Sequence, residues 1–306
     1  MDQLSMFNLG NKKKNTTPTE PVQETEQETP KASQSAQKKL SDTPRIQNAP
    51  IMEKIYRTII AELRAYFQKN NFVTGIIGLS GGIDSSLTLK LAVDAIGSEN
   101  IIGAILPEIG LTARENIDHA KKLAEFLGVK MYYHPINTLV IDFKLVPWKP
   151  SELAQMNSRA RIRSVLLYSL ANTFNGLVLG TSNKSEILLG YGTKYGDLAA
   201  DIEVIGSLYK TEVYELARHL KFSDVLLEKP PSAELKIGQT DEEDLGASYK
   251  DLDGILMQFE KGRTIEELIE RGMTPSLIHK VARRMAVNKH KREMPPVIKT
   301  AHSEAL

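Results

Sequence analysis

Short apolar runs alternate with longer amphipathic segments from residue 51 onward. Gly, Pro or Asn bounds the apolar runs, which are residues 75–80, 101–106, 130–136 and 176–181. Leu, Ile, Val and Ala recur at spacings of three and four in the amphipathic segments, which are residues 51–70, 85–96, 112–127 and 158–174. Runs of the first kind are typical of buried strands, and the second periodicity is typical of helices.

The alternation of strands and helices predicts an α/β fold, a doubly wound parallel sheet with flanking helices on both faces. Thr112, with Glu115 three residues later, has the spacing of a capping box and predicts the start of the third helix. Ligands of such sheets bind beyond the carboxyl ends of the strands, often where the strand order reverses. The first strand, predicted to end at Ser80, therefore leads into a predicted ligand site.

The first 50 residues differ in composition from the rest of the chain. Lys, Thr, Glu, Gln, Ser and Pro dominate residues 1–50, so this segment has too little apolar surface to offset the entropy cost of ordering it. We expect a disordered N-terminal tail over residues 1–50 and a single domain over residues 51–306.

Composition and charge exclude several classes of protein. The 306 residues carry a formal net charge of +1, so overall charge favours neither nucleic acid nor an anionic membrane as a partner. The chain has no Cys, which excludes disulfides, thiolate zinc sites and cysteine-based glutaminase chemistry. No apolar stretch approaches the roughly 20 residues of a membrane span, and no signal-peptide core is present. We expect a cytoplasmic location.

The first predicted strand leads into "GLSGGIDSS", a turn rich in Gly and Ser that contains one carboxylate, Asp84. The turn lacks the Lys of the P-loop, and its glycines do not match the dinucleotide fingerprint. Close glycines, hydroxyls and a helix N-terminus still make an anion site. A carboxylate beside phosphates needs a bridging cation, which predicts Mg²⁺. In a second interpretation, which the residues leave open, the turn is structural and Asp84 and Ser85 cap the helix.

The residues "SGGIDS" resemble the pyrophosphate loop of the ATP pyrophosphatase (PP-loop) superfamily. The resemblance implies a Rossmann-like fold similar to that of the adenine nucleotide alpha hydrolases. It also implies cleavage of ATP between the α and β phosphates, with adenylation of an oxygen on a second substrate. The superfamily includes NAD synthetases, GMP synthetases and tRNA-modifying enzymes, so the loop leaves the acceptor open.

A second stretch, residues 179–220, narrows the choice of acceptor. Charged residues alternate with glycines after the fourth predicted strand, at Glu186, Lys194, Asp197, Asp201 and Lys210. A solvated surface loop would explain each residue alone, but the clustering favours a binding surface.

This stretch resembles the corresponding segment of NAD synthetases. The matching features are Thr181, Glu186, "TKYGD" at residues 193–197, Ala200 with Asp201, and Lys210. Two further blocks, residues 229–256 and 288–296, resemble the second phosphate-side loop and the C-terminal "HKR" signature of that family. The resemblance covers residues 51–296.

The resemblance implies amidation of deamido-NAD to NAD by ammonia, the last step of NAD biosynthesis. ATP is then the co-substrate, an adenylated intermediate forms, and AMP and pyrophosphate are released. Because the chain has no Cys for a glutaminase domain, free ammonia or a separate partner is expected to supply the nitrogen. The family resemblance also implies a homodimer.

The same resemblance assigns roles to individual residues. The expected ATP-binding residues are Gly78, Leu79, Ser80, Gly81, Gly82, Ile83, Asp84, Ser85, Thr181, Lys210 and Ser232. The expected deamido-NAD-binding residues are Arg161, Lys194, Asp201, His290 and Lys291. Asp84 and Glu186 are expected to hold Mg²⁺, and Asp84 and Lys210 to act in catalysis. Asp197 is expected to support the site, and Ser232 stands where the family often has Thr.

Two other functions stay open on the sequence. One is another ATP pyrophosphatase, such as a GMP-synthetase-like subunit or a tRNA-modifying ligase, which the "TKYGD" and "HKR" blocks disfavour. The other is a nucleotide-binding regulator whose tail recruits partners. The basic run at residues 283–292 is, without the family match, typical of a solvated helix face. We therefore expect no nucleic-acid or membrane partner.

Overall fold

The chain folds around a five-stranded sheet. The computed structural model describes residues 49–232, 238 and 240–298, and the predicted disordered tail lies outside them except for its last two residues. The strands are β1 (Thr74–Gly78), β2 (Ile101–Ile105), β3 (Lys130–Tyr133), β4 (Gly176–Gly180) and β5 (Ile202–Glu203). All neighbours pair in parallel, in the order β3-β2-β1-β4-β5. The predicted parallel α/β fold is confirmed, and β5 is an additional strand that the sequence pattern did not predict.

Helices connect the strands and continue after them. They are α1 (Ala49–Lys69), α2 (Ile83–Ile96), α3 (Arg114–Phe126), α4 (Asn137–Asp142), α5 (Glu152–Phe174), α6 (Lys184–Leu189), α7 (Lys210–His219), α8 (Asp224–Leu227), α9 (Asp241–Leu245), α10 (Tyr249–Glu260), α11 (Ile265–Glu270) and α12 (Pro275–Val287). Within the described residues, none of these helices combines the length and the apolar character needed to cross a membrane.

Both faces of the sheet are covered by helices. Helices α1, α2, α3 and α7 bury their apolar sides against one face, and α4 and α5 cover the other. Neighbouring residues of β1 show this division, because successive side chains of a strand point to opposite faces. Ile77 lies in the larger core and Ile76 packs with Ala171 of α5.

A second helical layer lies beyond the sheet. Leu189 of α6, Leu252 of α10, Leu268 of α11 and Ile278 of α12 belong to one buried cluster. Helix α10 also contacts α7, which packs against the main core. The second layer is therefore joined to the sheet through α6 and α7.

The observed bounds of most elements lie close to the predicted ones. β1 ends at Gly78 rather than at Ser80. Helix α5 differs most, because it begins at Glu152 rather than at Ser158. Ser151 explains the earlier start, since its hydroxyl accepts a hydrogen bond from a backbone N–H in the first turn and caps the helix.

The capping box predicted at Thr112 is wrong. Helix α3 begins at Arg114, and Ala113 stands at the N-cap without a side-chain cap. The Thr112 hydroxyl instead accepts the backbone N–H of Glu108 at 3.1 Å. The hydroxyl closes a turn before the helix, which is the competing use that Ser and Thr side chains make of nearby backbone groups.

The strand order reverses between β1 and β4. The chain places β2 and β3 on one side of β1 and places β4 and β5 on the other. In doubly wound sheets this reversal opens a crevice beyond the carboxyl ends of the two strands. The loop after β1 and Thr181 after β4 therefore lie at neighbouring positions of one crevice.

Candidate active site

The pyrophosphate loop, residues 78–85, is held in place by its apolar side chains. Gly78 ends β1, and the Leu79 N–H extends the sheet by donating to the Ala104 carbonyl at 2.8 Å. The side chains of Leu79 and Ile83 are buried in the main core. The polar turn between them is thus anchored at both ends.

Gly81 makes the turn of the loop. Its φ is +79°, and a Cβ at this position would lie 2.1 Å from the backbone carbonyl oxygen of Asn116. Only glycine fits both the left-handed conformation and the close approach. Lys229 donates to the Gly81 carbonyl at 3.3 Å and to the Asn116 side chain. The segment that leads to Ser232 therefore touches the loop.

Helix α2 begins inside the loop, at Ile83. Gly82 is its N-cap and provides no side-chain cap, so the structure places neither Asp84 nor Ser85 at that position. The Ser80 hydroxyl accepts the Gly82 N–H at 3.2 Å and lies 2.9 Å from the Ser85 hydroxyl. Because the first N–H groups of a helix lack intrahelical acceptors, this end of α2 is suited to an anion.

Three charged side chains meet beside the loop. Lys210 begins α7 and is only 1% exposed. Its Nζ contacts Asp84 Oδ2 and lies 3.8 Å from Glu186 Oε1. A buried ammonium is stable only when opposite charges compensate for its lost hydration. The structure therefore brings these three residues, which lie far apart in the sequence, into one cluster.

Asn183 joins the two carboxylates. Its Nδ2 donates to Asp84 Oδ1 at 3.0 Å. Its Oδ1 accepts the Glu186 N–H at 3.0 Å, and its own N–H donates to Glu186 Oε2 at 3.1 Å. Asn183 was not among the predicted site residues, although the Asn-x-x-Glu spacing of this capping box is visible in the sequence.

The crowded charges shift the pKa values of two members of the cluster. Burial raises the pKa of Glu186 well above its ordinary value, the charge of Asp84 adds to this, and Lys210 opposes it. Burial acts to lower the pKa of Lys210, but the charges of Asp84 and Glu186 outweigh it and raise the pKa. Lys210 therefore stays protonated, and a further cation would favour ionised Glu186.

The donor set of this cluster suits a hard divalent cation. Asp84 and Glu186 provide carboxylate oxygens from two different helices, and both face one cationic atom, Lys210 Nζ. Among the described residues no group of three or more His, Asp or Glu side chains could hold a metal. Mg²⁺ commonly binds through one or two carboxylates and completes its shell with water and substrate phosphates. The two residues therefore fit Mg²⁺ bound together with a phosphate substrate.

Most of the predicted dinucleotide contacts form a second cluster. The Arg161 Nε donates to the Lys194 carbonyl at 3.2 Å. The Lys194 Nζ donates to the His290 carbonyl at 2.5 Å. The Lys291 Nζ donates to the Gly190 carbonyl at 2.7 Å and to the Gly192 carbonyl at 2.8 Å. The structure thus brings the C-terminal "HKR" block against the "TKYGD" segment and α5.

Asp201 is held in a different environment, between β4 and α5. Its carboxylate accepts the Val178 N–H at 2.7 Å and the Tyr168 hydroxyl at 3.4 Å. Burial, together with the charge of Asp201, raises the pKa of Tyr168 to about 12. Tyr168 also lines an open groove of about 600 Å³ along α5. The contacts of Asp201 therefore connect it to this groove.

The remaining predicted residues have different surroundings. Thr181 directly follows β4 and is half-buried. Ser232 is exposed and precedes residues 233–237, which lie outside the described part of the chain. Asp197 Oδ1 accepts the Thr193 N–H at 2.9 Å, which closes the "TKYGD" turn.

Glu203 at the end of β5 is a half-buried acid that was not among the predicted site residues. Its Oε2 accepts the Ser182 N–H at 3.2 Å. Burial raises the pKa of Glu203 to about 7, the hydrogen bond from Ser182 opposes this, and the charge of Asp197 adds to it. A single Glu in a two-residue strand carries no spacing signal, so the sequence offered no means of finding it.

Comparison with known proteins agrees with this geometry. The sequence model of the NAD synthase family matches residues 55–295. The NH3-dependent NAD+ synthetase of Methanocaldococcus jannaschii is 44% identical over 250 residues, which cover 80% of this chain and 96% of that protein. The corresponding protein of Methanosarcina acetivorans is 43% identical over 249 residues, covering 80% of this chain and 97% of that protein.

Two solved structures share the fold over nearly their full length. The NH3-dependent NAD synthetase of Campylobacter jejuni superposes with a TM-score of 0.70 at 31% identity, covering 81% of this chain and 99% of that one. The NMN synthetase of Francisella tularensis gives a TM-score of 0.72 at 28% identity, with the same two coverages. By sequence and by structure, the chain belongs to the NAD synthase family.

Proposed function

We propose that this chain, whose activity is ammonia-dependent NAD synthesis, activates deamido-NAD with ATP held at the pyrophosphate loop. An oxygen of the nicotinate carboxylate attacks the α phosphorus, and the bond to the β-phosphate oxygen breaks. The products of this step are an acyl adenylate and pyrophosphate. Ammonia then attacks the acyl carbon and loses a proton, and AMP leaves. The first step is needed because a free carboxylate would have to expel oxide, whereas AMP is a good leaving group.

The observation that carries this proposal is the buried charge cluster beside the loop. The backbone N–H groups at the start of α2 and the hydroxyls of Ser80 and Ser85 can donate to phosphate oxygens. Lys210, which stays protonated, adds a fixed positive charge at the same place. Preorganised charges and donors of this kind stabilise a transition state because they need no reorganisation during the reaction.

We assign Mg²⁺ to Asp84 and Glu186. The fit described above supports this assignment, since both carboxylates face one cation and Asn183 fixes both. When bound, Mg²⁺ would neutralise phosphate charge and act as a Lewis acid on phosphoryl oxygens. The part played by the chain is to hold the two carboxylates at a constant separation.

We assign the dinucleotide to the cluster of Arg161, Lys194, His290 and Lys291. Backbone carbonyls accept hydrogen bonds from three of these side chains, which fixes their positions before a ligand arrives. Preorganised cations bind a pyrophosphate with a smaller entropy cost than mobile ones. Asp201 would contact the part of deamido-NAD that lies in the α5 groove.

We further propose that two copies of the chain form a homodimer through the region of α4 and α5. Six large apolar side chains between residues 141 and 165 are each more than half exposed: Ile141, Phe143, Leu145, Trp148, Leu153 and Val165. So many exposed large apolar side chains within about 25 residues of sequence favour an association site. The α5 groove lies on the same helix, so the second copy would cover one side of the dinucleotide.

A direct assay tests the reaction. The chain is incubated with Mg-ATP, ammonium and deamido-NAD, and AMP, pyrophosphate and NAD are quantified; we expect equal amounts of all three. Glutamine in place of ammonium should give no NAD. Nicotinate mononucleotide is the alternative acceptor, because the F. tularensis neighbour is an NMN synthetase. A higher kcat/KM for nicotinate mononucleotide than for deamido-NAD would refute the assignment of the acceptor.

The other superfamily reactions are not favoured by the comparisons, and they serve as negative controls. Xanthosine monophosphate and tRNA should not promote cleavage of ATP to AMP. The absence of any ATP cleavage would support a nucleotide-binding regulator instead. The cytoplasmic location stays a prediction from the sequence.

The dimer is tested by light scattering. Trp148→Asp should halve the measured mass, because a buried carboxylate without a partner disrupts an apolar interface. Val73→Asp is the matched control, since Val73 is exposed to a similar extent and precedes β1 at the opposite end of the strands. A monomeric wild-type chain, or equal masses of wild type and Trp148→Asp, would exclude this interface.

A further inference from the structure

A buried carboxylate outside the charge cluster joins the two helices that carry Glu186 and Lys210. Asp253 lies on α10 and is 1% exposed. Its Oδ1 accepts the Ser185 hydroxyl at 2.5 Å, and its Oδ2 accepts the N–H and the hydroxyl of Thr211, each at 2.9 Å. Ser185 lies in the first turn of α6 and Thr211 in the first turn of α7. One carboxylate thus accepts hydrogen bonds from the first turns of both helices.

Ser185 links this arrangement to Lys210. The Ser185 Oγ accepts the backbone N–H of Lys210 at 2.9 Å while its own proton is donated to Asp253. Glu186 follows Ser185 directly in α6. Asp253 therefore binds the sequence neighbour of Glu186, which is Ser185, and the sequence neighbour of Lys210, which is Thr211. Through the Ser185 hydroxyl it is also linked to the backbone of Lys210.

We propose that Asp253 is a positioning residue for the ATP and metal site. By holding the N-terminal ends of α6 and α7 together, it sets the separation between Glu186 and Lys210. Displacements of about 1 Å at a reacting centre can lower rates by about 100-fold, so a buried clamp of this kind affects turnover. The inference rests on the proposed function, because that proposal assigns Glu186 and Lys210 to the ATP and metal site.

The ionised form of Asp253 suits this position. The first turn of α6 directs the Ser185 hydroxyl at the carboxylate, and the first turn of α7 directs the Thr211 N–H and hydroxyl at it. The positive dipole end of α7 also favours a negative charge there. Burial raises the pKa of Asp253, and the hydrogen bonds from Ser185 and Thr211 oppose that shift. Every partner donates to the carboxylate, which is an acceptor on both oxygens. In Asp253→Asn one of these acceptors becomes a donor, so the Ser185 proton or the Thr211 protons lose their acceptor.

Steady-state kinetics of Asp253→Asn tests this role. We expect at least a tenfold loss of kcat and at least a fivefold rise in the Mg²⁺ concentration for half-maximal rate. The KM for deamido-NAD should change less than twofold, since the dinucleotide cluster does not contact Asp253. Asp251→Asn is the matched control: it is the same change on the same helix, but Asp251 is exposed and contacts Ser248, and activity should be unchanged.

Two further variants separate positioning from general stability. Leu268→Ala weakens the same helical layer from α11, and its rate per folded molecule should equal that of the wild type. In the background of Ser185→Ala, which removes the link to Lys210, Asp253→Asn should cost at most a twofold further loss. The inference would be overturned if the rate losses of Ser185→Ala and Asp253→Asn multiplied in the double variant. It would also be overturned if Asp253→Asn and Leu268→Ala required the same Mg²⁺ concentration. If Asp253→Asn does not fold, the Mg²⁺ requirement of Ser185→Ala decides the question.

The result for Asp84→Asn separates the two proposals. If Asp84→Asn keeps its turnover, the assignment of the ATP and metal site fails. If Asp84→Asn is inactive while Asp253→Asn and Ser185→Ala behave like the wild type, only the positioning role fails.

Discussion

Replacing Asp84 with Asn would leave Lys210 buried without its nearest counterion. Lys210 is 1% exposed, and its two negative neighbours are Asp84 and Glu186. Loss of one partner from a buried ion pair costs about 3–5 kcal/mol, because the remaining charge stays desolvated. Here the cost should be smaller, since Glu186 remains 3.8 Å from the Lys210 Nζ. The charge of Asp84 also raises the pKa of Glu186, so its removal favours the ionised form of Glu186.

These opposing effects give an expected loss of roughly 2–3 kcal/mol of folding free energy for Asp84→Asn. A domain of this size is commonly stable by about 5–15 kcal/mol, so the variant should still fold. Activity should fall by at least about 100-fold, because the variant loses both a proposed metal ligand and a charge that positions Lys210. Urea denaturation followed by circular dichroism measures the first quantity, and AMP release measures the second.

Asp94→Asn is the matched control on the same helix. Asp94 pairs with Lys90 at 2.6 Å, but both side chains are about one-fifth exposed, and the two residues are one helical turn apart. Ion pairs one helical turn apart contribute about 0.5 kcal/mol. Asp94 also accepts the Tyr56 hydroxyl at 2.6 Å, and the amide oxygen of Asn can still accept it. A stability loss for Asp84→Asn no larger than for Asp94→Asn would refute the buried ion pair. Turnover above one-tenth of the wild-type value would refute the metal role.

Three other substitutions have expected outcomes. Gly81→Ala adds a Cβ 2.1 Å from the Asn116 carbonyl at a φ of +79°, so kcat/KM for ATP should fall at least about tenfold. Glu203→Gln should leave stability unchanged at pH 5. At pH 8 it should raise stability by about 1–3 kcal/mol, because a folded pKa of about 7 means that stability is lost as pH rises through that value. Lys291→Met should raise the KM for deamido-NAD more than that for ATP.

Each of these outcomes has its own control. For the loop, Gly82→Ala should cost less than Gly81→Ala, because a Cβ on Gly82 meets only the Ser80 hydroxyl at 3.4 Å. For Glu203, a stability difference between variant and wild type that does not change from pH 5 to pH 8 would contradict the raised pKa. For the C-terminal block, the Lys289 side chain is exposed, so Lys289→Met should leave the KM for deamido-NAD unchanged. Equal effects of Lys289→Met and Lys291→Met on this KM would contradict the dinucleotide role.

The position of the site could be predicted from sequence because parallel strands share one edge. The pyrophosphate loop follows β1 and Thr181 follows β4, and these strands are neighbours in the sheet. The contact between Lys210 and Asp84 could not be predicted from residue patterns, since it spans 126 residues and depends on how α7 packs against α2. The family resemblance named both residues but gave no reason for their proximity.

Local capping patterns were less reliable than the order of elements. The same spacing of three residues separates Thr112 from Glu115 and Asn183 from Glu186, but only the second pair forms a capping box. The Thr112 hydroxyl accepts the backbone N–H of Glu108 in a turn, so it does not cap the helix. At Asn183 the cap is buried, and its second hydrogen bond to Asp84 adds a tertiary contact. A competing local turn in one case and a tertiary contact in the other therefore decide which pattern forms, and the spacing alone does not show it.

Arg292, near the end of the described chain, contacts the C-terminal end of α6, while Asp253 contacts its N-terminal end. Arg292 donates to the Leu188 carbonyl at 2.6 Å, across 104 residues, and to the Met285 carbonyl at 2.9 Å. The first bond satisfies a carbonyl that the short helix α6 leaves unpaired at its C-terminal end, and the second ties Arg292 to α12. During synthesis on the ribosome, the helix that carries Glu186 therefore emerges long before its final support. A chain halted before Arg292 would carry every residue assigned to phosphate and metal. It would still lack the Arg292 hydrogen bond to the C-terminal end of the helix that carries Glu186.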